Sequence, residues 1–173
     1  MKWMLACSTV LLLATTVAPA AAPPEHHPLA ELSWLVGGVW VAETHTPDGK
    51  PLRVEFKCDW AEHGMALKYV IHFKTGDETV PQYEGMYYWH PAKKRLAMVQ
   101  VDRYGNVTES TATTDGGNVT QENQATGSDG VTRPQRATVT RNGDDAFDFK
   151  AMVKRGDEWV EGLALTYRRE RRK

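Results

Sequence analysis

Arg53-Val54-Glu55-Phe56-Lys57-Cys58-Asp59-Trp60, then Glu62-His63-Gly64, then Leu67-Lys68-Tyr69-Val70-Ile71-His72-Phe73: this stretch decides the fold. In the first run Val54, Phe56, Cys58 and Trp60 fall on one side, and Arg53, Glu55, Lys57 and Asp59 on the other. A strand with one buried face requires this period of two, because successive side chains point to opposite faces. Beyond the glycine-bearing turn, Leu67, Tyr69, Ile71 and Phe73 repeat the pattern. The two runs predict half-buried antiparallel strands joined as a hairpin.

The same grammar extends outward in both directions. Turn signals recur at Pro47-Asp48-Gly49-Lys50, Thr75-Gly76-Asp77, Tyr104-Gly105-Asn106, Asp115-Gly116-Gly117-Asn118, Ser128-Asp129-Gly130, Asn142-Gly143-Asp144 and Arg155-Gly156-Asp157. His90-Pro91-Ala92-Lys93 fills the one long gap. Such pairs accept the positive backbone angles of tight hairpins at little steric cost. Phe147, Phe149, Ala151 and Val153 alternate like the opening hairpin, and Trp159, Leu163, Leu165 and Tyr167 close the series, interrupted by Glu161. Counting turns predicts about ten strands. An open sheet of that size would expose an apolar face and two edges, so a closed antiparallel meander barrel is expected. The one helical pattern is short, Pro28 to Val36, with Leu29, Leu32 and Leu35 or Val36 as an apolar stripe.

The first 22 residues read as a secretory signal peptide: Lys2, an apolar run from Leu5 to Val17, then Ala18-Pro19-Ala20 or Ala20-Ala21-Ala22 as the cleavage site. The apolar run is too short to span a bilayer as a mature helix. Residues 23–173 then form one domain, exported to the periplasm or secreted. With 21 basic and 22 acidic residues, no strongly basic nucleic-acid-binding face is expected. The basic end, Arg168 to Lys173, reads as a solvated tail or a patch for acidic groups. Cleavage leaves Cys58 as the one cysteine, expected to be a small buried hydrophobe, with no internal disulfide.

The two halves of the chain differ. Strands from Val39 to Val101 and from Phe147 to Tyr167 carry large apolar residues, whereas Asn106 to Thr140 is mostly Thr, Gln, Asn, Glu and Arg. That middle cannot fill a dry core, so a water-containing interior is expected. An aromatic wall of Tyr69, Phe73, Tyr83, Tyr87 and Trp89 would face polar strands offering Gln100, Glu109, Thr111, Gln121, Asn123, Gln135 and Arg133 or Arg136. An apolar wall with a few convergent polar groups suits a small hydrophobic or amphipathic ligand, and an inward arginine would favour a carboxylate. The other reading of the same residues is a plain core with a polar surface.

Other chemistries have thinner support. Hairpin counting brings His63 and His90 to one barrel end, near Trp60, Glu62 and Trp89. They form either a metal or acid-base site, or two histidines on a polar rim. His72 is expected to be exposed, and His26-His27 to sit in a disordered Pro-rich tail. Ser33, Ser110 and Ser128 stand in no nucleophile elbow. Every Gly-rich pair is accounted for by a hairpin, so no phosphate loop and no cofactor motif is read. Asn106-Val107-Thr108 and Asn118-Val119-Thr120 match glycosylation sequons at ordinary turns. An outer face with exposed aromatics such as Tyr88 would instead suit an envelope partner.

A short helix, then Gly38-Val39-Trp40 opening the first strand of a pure meander, resembles the calycin group of lipocalins, fatty-acid-binding proteins and nitrobindin-type barrels. Leu32-Ser33-Trp34-Leu35-Val36-Gly37 looks most like small exported bacterial lipocalin-like barrels of uncharacterised function. In lipocalins the Gly-x-Trp tryptophan plugs the closed end and a late arginine packs over it. The resemblance assigns the first role to Trp40 and the second to Arg168 or Arg169. It also implies small-molecule binding in the interior. The chain departs from lipocalins in its strand number and in lacking a long C-terminal helix. It departs from nitrobindins, which hold haem through a late histidine, because no histidine follows His90.

Overall fold

The computed structural model describes residues 27–170. The expected signal peptide, His26 and the last three basic residues lie outside them. Ten strands follow in order: β1 (Val39–His45), β2 (Pro51–Trp60), β3 (Ala66–Thr75), β4 (Glu78–His90), β5 (Arg95–Asp102), β6 (Val107–Asp115), β7 (Asn118–Thr126), β8 (Thr132–Arg141), β9 (Ala146–Arg155) and β10 (Glu158–Glu170). Each pairs antiparallel with its neighbours in sequence, and β10 returns to β1, which closes the barrel. The turn count and the alternation are thus both realised. One of the two-residue hairpins shows why: Gly116 and Gly117 take φ of 56° and 85° between Asp115 and its partner Asn118, a conformation open to glycine at no cost.

A 3-10 helix, Ala30–Leu35, precedes β1. Its three-residue turn matches the Leu29, Leu32, Leu35 spacing, so all three side chains line up on the face that caps the barrel, and all are buried. His27 does not belong to a disordered tail. It is buried, accepts the Leu29 amide through Nδ1 at 3.1 Å and packs edge-on to Trp60 at 5.5 Å.

Trp40 is fully buried behind this cap. Its indole N–H donates to Leu35 O at 2.9 Å, and Trp34 and Phe147 pack edge-on at 5.6 and 5.0 Å. Truncating a tryptophan this deep costs about 3–5 kcal/mol. The arginine over it is Arg169, not Arg168. The Arg169 guanidinium lies 4.0 Å from the Trp40 ring and donates to the carbonyls of Trp34, Val36 and Gly37. Arg168 points the other way and is exposed, since neighbouring strand residues alternate. Gly38 makes room: with φ of 71°, an added Cβ would stand 3.3 Å from both Arg169 Cγ and Glu170 O. The basic end is therefore strand, not tail, up to Glu170.

Two irregularities shape the rest. Between Glu161 and Leu163 the β9–β10 register shifts by one residue, Gly162 being the extra one. Such a slip flips every side chain before it to the other face. Leu165 and Tyr167 therefore point inward, and Trp159 points outward under Arg136, 4.3 Å from its ring. A second shift, between Ile71 and His72, leaves Gln82 as the extra residue of β4. His72 is half-buried rather than exposed, and its Nδ1 has no partner.

Candidate functional site: the barrel interior

Inward residues divide as their strands do. Val54 and Phe56 of β2, Tyr69, Ile71 and Phe73 of β3, and Tyr83 and Tyr87 of β4 form an apolar, mostly aromatic wall. Opposite stand Gln100 of β5, Thr108 of β6, Gln121 and Asn123 of β7 and Gln135 of β8, with Ala137 and Val139 beside them. Between the walls lies a cavity of about 210 Å³. At roughly 30 Å³ per water, that is room for about seven waters or one small organic molecule. Leu35 and Phe147 close it toward the cap, and Leu163, 42% exposed, lines the opposite end.

The polar groups inside are tied to the aromatic ones. The Tyr69 hydroxyl donates to Gln100 Oε1 at 2.9 Å, and Gln121 Nε2 donates to the Tyr87 hydroxyl oxygen at 2.7 Å. Tyr69 reaches Gln100 because Gly85, the residue between them in the register, has no side chain. Burial raises the Tyr69 and Tyr87 phenols well above the ordinary tyrosine value, so both stay neutral. Asn123 is buried and its carboxamide oxygen has no partner; Ser110, opposite it in register, is buried with an equally unpartnered hydroxyl. Burial, assisted by the charge of Asp59, pushes the Cys58 thiol up to about 12, so it is a poor nucleophile at neutral pH.

The structure gathers Tyr69, Phe73, Tyr83, Tyr87 and Gln100 around one cavity. It does not bring Trp89, Arg133 or Arg136 there. Trp89 sits at the capped end, 38% exposed. Arg133 is exposed beside the β7–β8 turn and is held by Asp129 at 2.6 Å. Arg136 is on the outer face, paired with Glu122 at 3.1 Å. The expectation of an inward arginine, and of the carboxylate ligand it would favour, is corrected accordingly. Glu109 and Thr111 do not line the cavity either.

His63 and His90 do lie at one end, where Ala66 pairs with Tyr88. Each spends its Nδ1 on its own turn: His63 accepts the Met65 amide at 3.0 Å and His90 the Lys93 amide at 3.4 Å. Among the described residues no group of three or more His, Cys, Asp or Glu is placed to hold a metal ion. Tyr88 is half-buried and stacks on His90 at 6.3 Å. Sequence reasoning missed Gly85 and Gly162. A glycine inside a strand pattern is the available signal for close approach or a bulge.

No protein-family model matches this chain, and neither does any curated protein. Among solved structures, the crystal structure of Rv2717c from M. tuberculosis is similar with a TM-score of 0.54 over 83% of this chain and 98% of that one, at 17% identity. At that identity the likeness concerns fold alone, a closed antiparallel barrel. No helix among the described residues is long and apolar enough to cross a membrane.

Proposed function

We propose that this protein is an exported binding protein that holds one small, largely apolar molecule inside its barrel, as lipocalin-like proteins do. The observation that carries the reading is the cavity of about 210 Å³ between an aromatic wall and a wall of carboxamides. Small-molecule sites combine these two surfaces: the apolar one supplies burial energy and the polar one fixes orientation. Burying apolar ligand surface contributes about 25 cal/mol per Å² before the entropic cost of binding. Export rests on the N-terminal pattern of Lys2, the apolar run and Ala18-Pro19-Ala20. A mature mass that begins after Ala20 or Ala22 supports export, and a retained N-terminus refutes it.

Cavity filling tests the binding itself. Ala151 lines the cavity, and Ala151→Phe places a ring in the space without removing a hydrogen bond. One- and two-ring apolar compounds, titrated against tyrosine fluorescence, should bind the natural protein and lose at least tenfold in affinity with the variant. Equal binding to both proteins means the interior is not the site.

A further inference from the structure

On the reading just given, we infer that the ligand is an uncharged ring compound whose one polar edge carries both a hydrogen-bond donor and an acceptor, a lactam being the simplest case. Two observations carry this. First, among the described residues no charged side chain lines the cavity, and an ion moved there would lose its hydration with no countercharge to replace it. The arginines that might have supplied one are held outside by Asp129 and Glu122.

Second, the polar wall has unspent hydrogen-bonding capacity of both kinds. Gln100 accepts from Tyr69 through its oxygen, which leaves its NH₂ group for a ligand. Gln121 spends its NH₂ group on Tyr87, which leaves its carbonyl oxygen as an acceptor and the Tyr87 proton as a donor. Two residues along β7, the buried Asn123 adds an oxygen with no partner. The open donor belongs to Gln100 and the open acceptors to Gln121 and Asn123, and a ring edge that carries both an N–H and a C=O can answer both kinds. A hydrocarbon in this space would leave these groups dry and unpaired, which is costly. The tyrosines, kept neutral by burial, add no charge to the wall.

Three probes of similar shape separate the possibilities: 2-quinolone (uncharged, N–H beside C=O), naphthalene (no polar edge) and 2-naphthoate (charged). Titrations use the full mature protein, with Gln121→Leu and Asn123→Leu as variants and a thermal melt confirming each fold. The expected order is 2-quinolone tightest by about tenfold or more, the worth of one well-made buried hydrogen bond. Either substitution should remove that margin and leave naphthalene unchanged or tighter. The three-probe ranking on the natural protein stands even if a variant fails to fold. Naphthalene equal to 2-quinolone, or 2-naphthoate tightest, overturns the polar-edge inference while the barrel remains a carrier. No binding by any probe overturns both.

Discussion

A methyl group added at Gly85 has nowhere to go: it would stand 2.6 Å from the Tyr69 ring and hydroxyl and 2.6 Å from Val99 O. The backbone oxygen cannot yield, so Tyr69 must swing off and release Gln100. Gly85→Ala should therefore destabilise by about 1–3 kcal/mol and weaken binding of small aromatics as well, read by thermal melting and titration. An unchanged melting temperature would mean that Tyr69 does not lie across the sheet. On the outer face, Glu55 is buried between Lys74 Nζ at 2.8 Å and Arg53 Nε at 3.0 Å, with Lys57 at 4.0 Å. Burial pushes its carboxyl up, but the hydrogen bonds and charges of Lys74 and Arg53 outweigh that and hold it below the ordinary value. A lowered folded value means the stabilisation is complete above the unfolded value of about 4.3 and is lost as the pH falls through the folded one. Melting temperature against pH should show the natural protein ahead of Glu55→Gln at neutral pH, with the gap closing at acid pH. A gap that persists there contradicts this role for Glu55.

At the level of strands, the weak place is the closure. β1 pairs with β10 over three residues, Val39–Val41 against Arg168–Glu170, whereas every other seam runs over six residues or more. β1 has seven residues and β10 thirteen, so the part of β10 before Arg168 runs past the seam without a β1 partner. The β1-facing amides of β10 before Arg168 should exchange hydrogen quickly, alternating with slow ones bonded to β9. Uniform protection along β10 would show a full seam. The alternation from Arg53 to Phe73 made the hairpins legible, and the period-three leucines made the cap legible, though not its 3-10 geometry. What alternation conceals is a bulge. Trp159 and Leu163 share a parity in the sequence, yet Gly162 puts them on opposite faces. Arg133 shows a related limit: parity alone does not say that a nearby Asp129 will claim the guanidinium.

For the whole molecule, the polar middle of the chain was the informative anomaly. Four carboxamides that look like surface residues, Gln100, Gln121, Asn123 and Gln135, face inward because the barrel closes and gives every strand an inside. Which arginine joins them depended on register and turn chemistry, and the answer is neither. The outcome is an interior lined by no charged side chain among the described residues, capped at one end by Trp40 and Arg169. This interior is proposed to hold a small molecule. Native against denaturing mass spectrometry of the protein, produced in cells from its full-length sequence, tests this most directly. A reproducible extra mass of one small neutral compound, lost on denaturation, is the predicted result. A bare mature mass under native conditions, unchanged by incubation with cell extract, would contradict it.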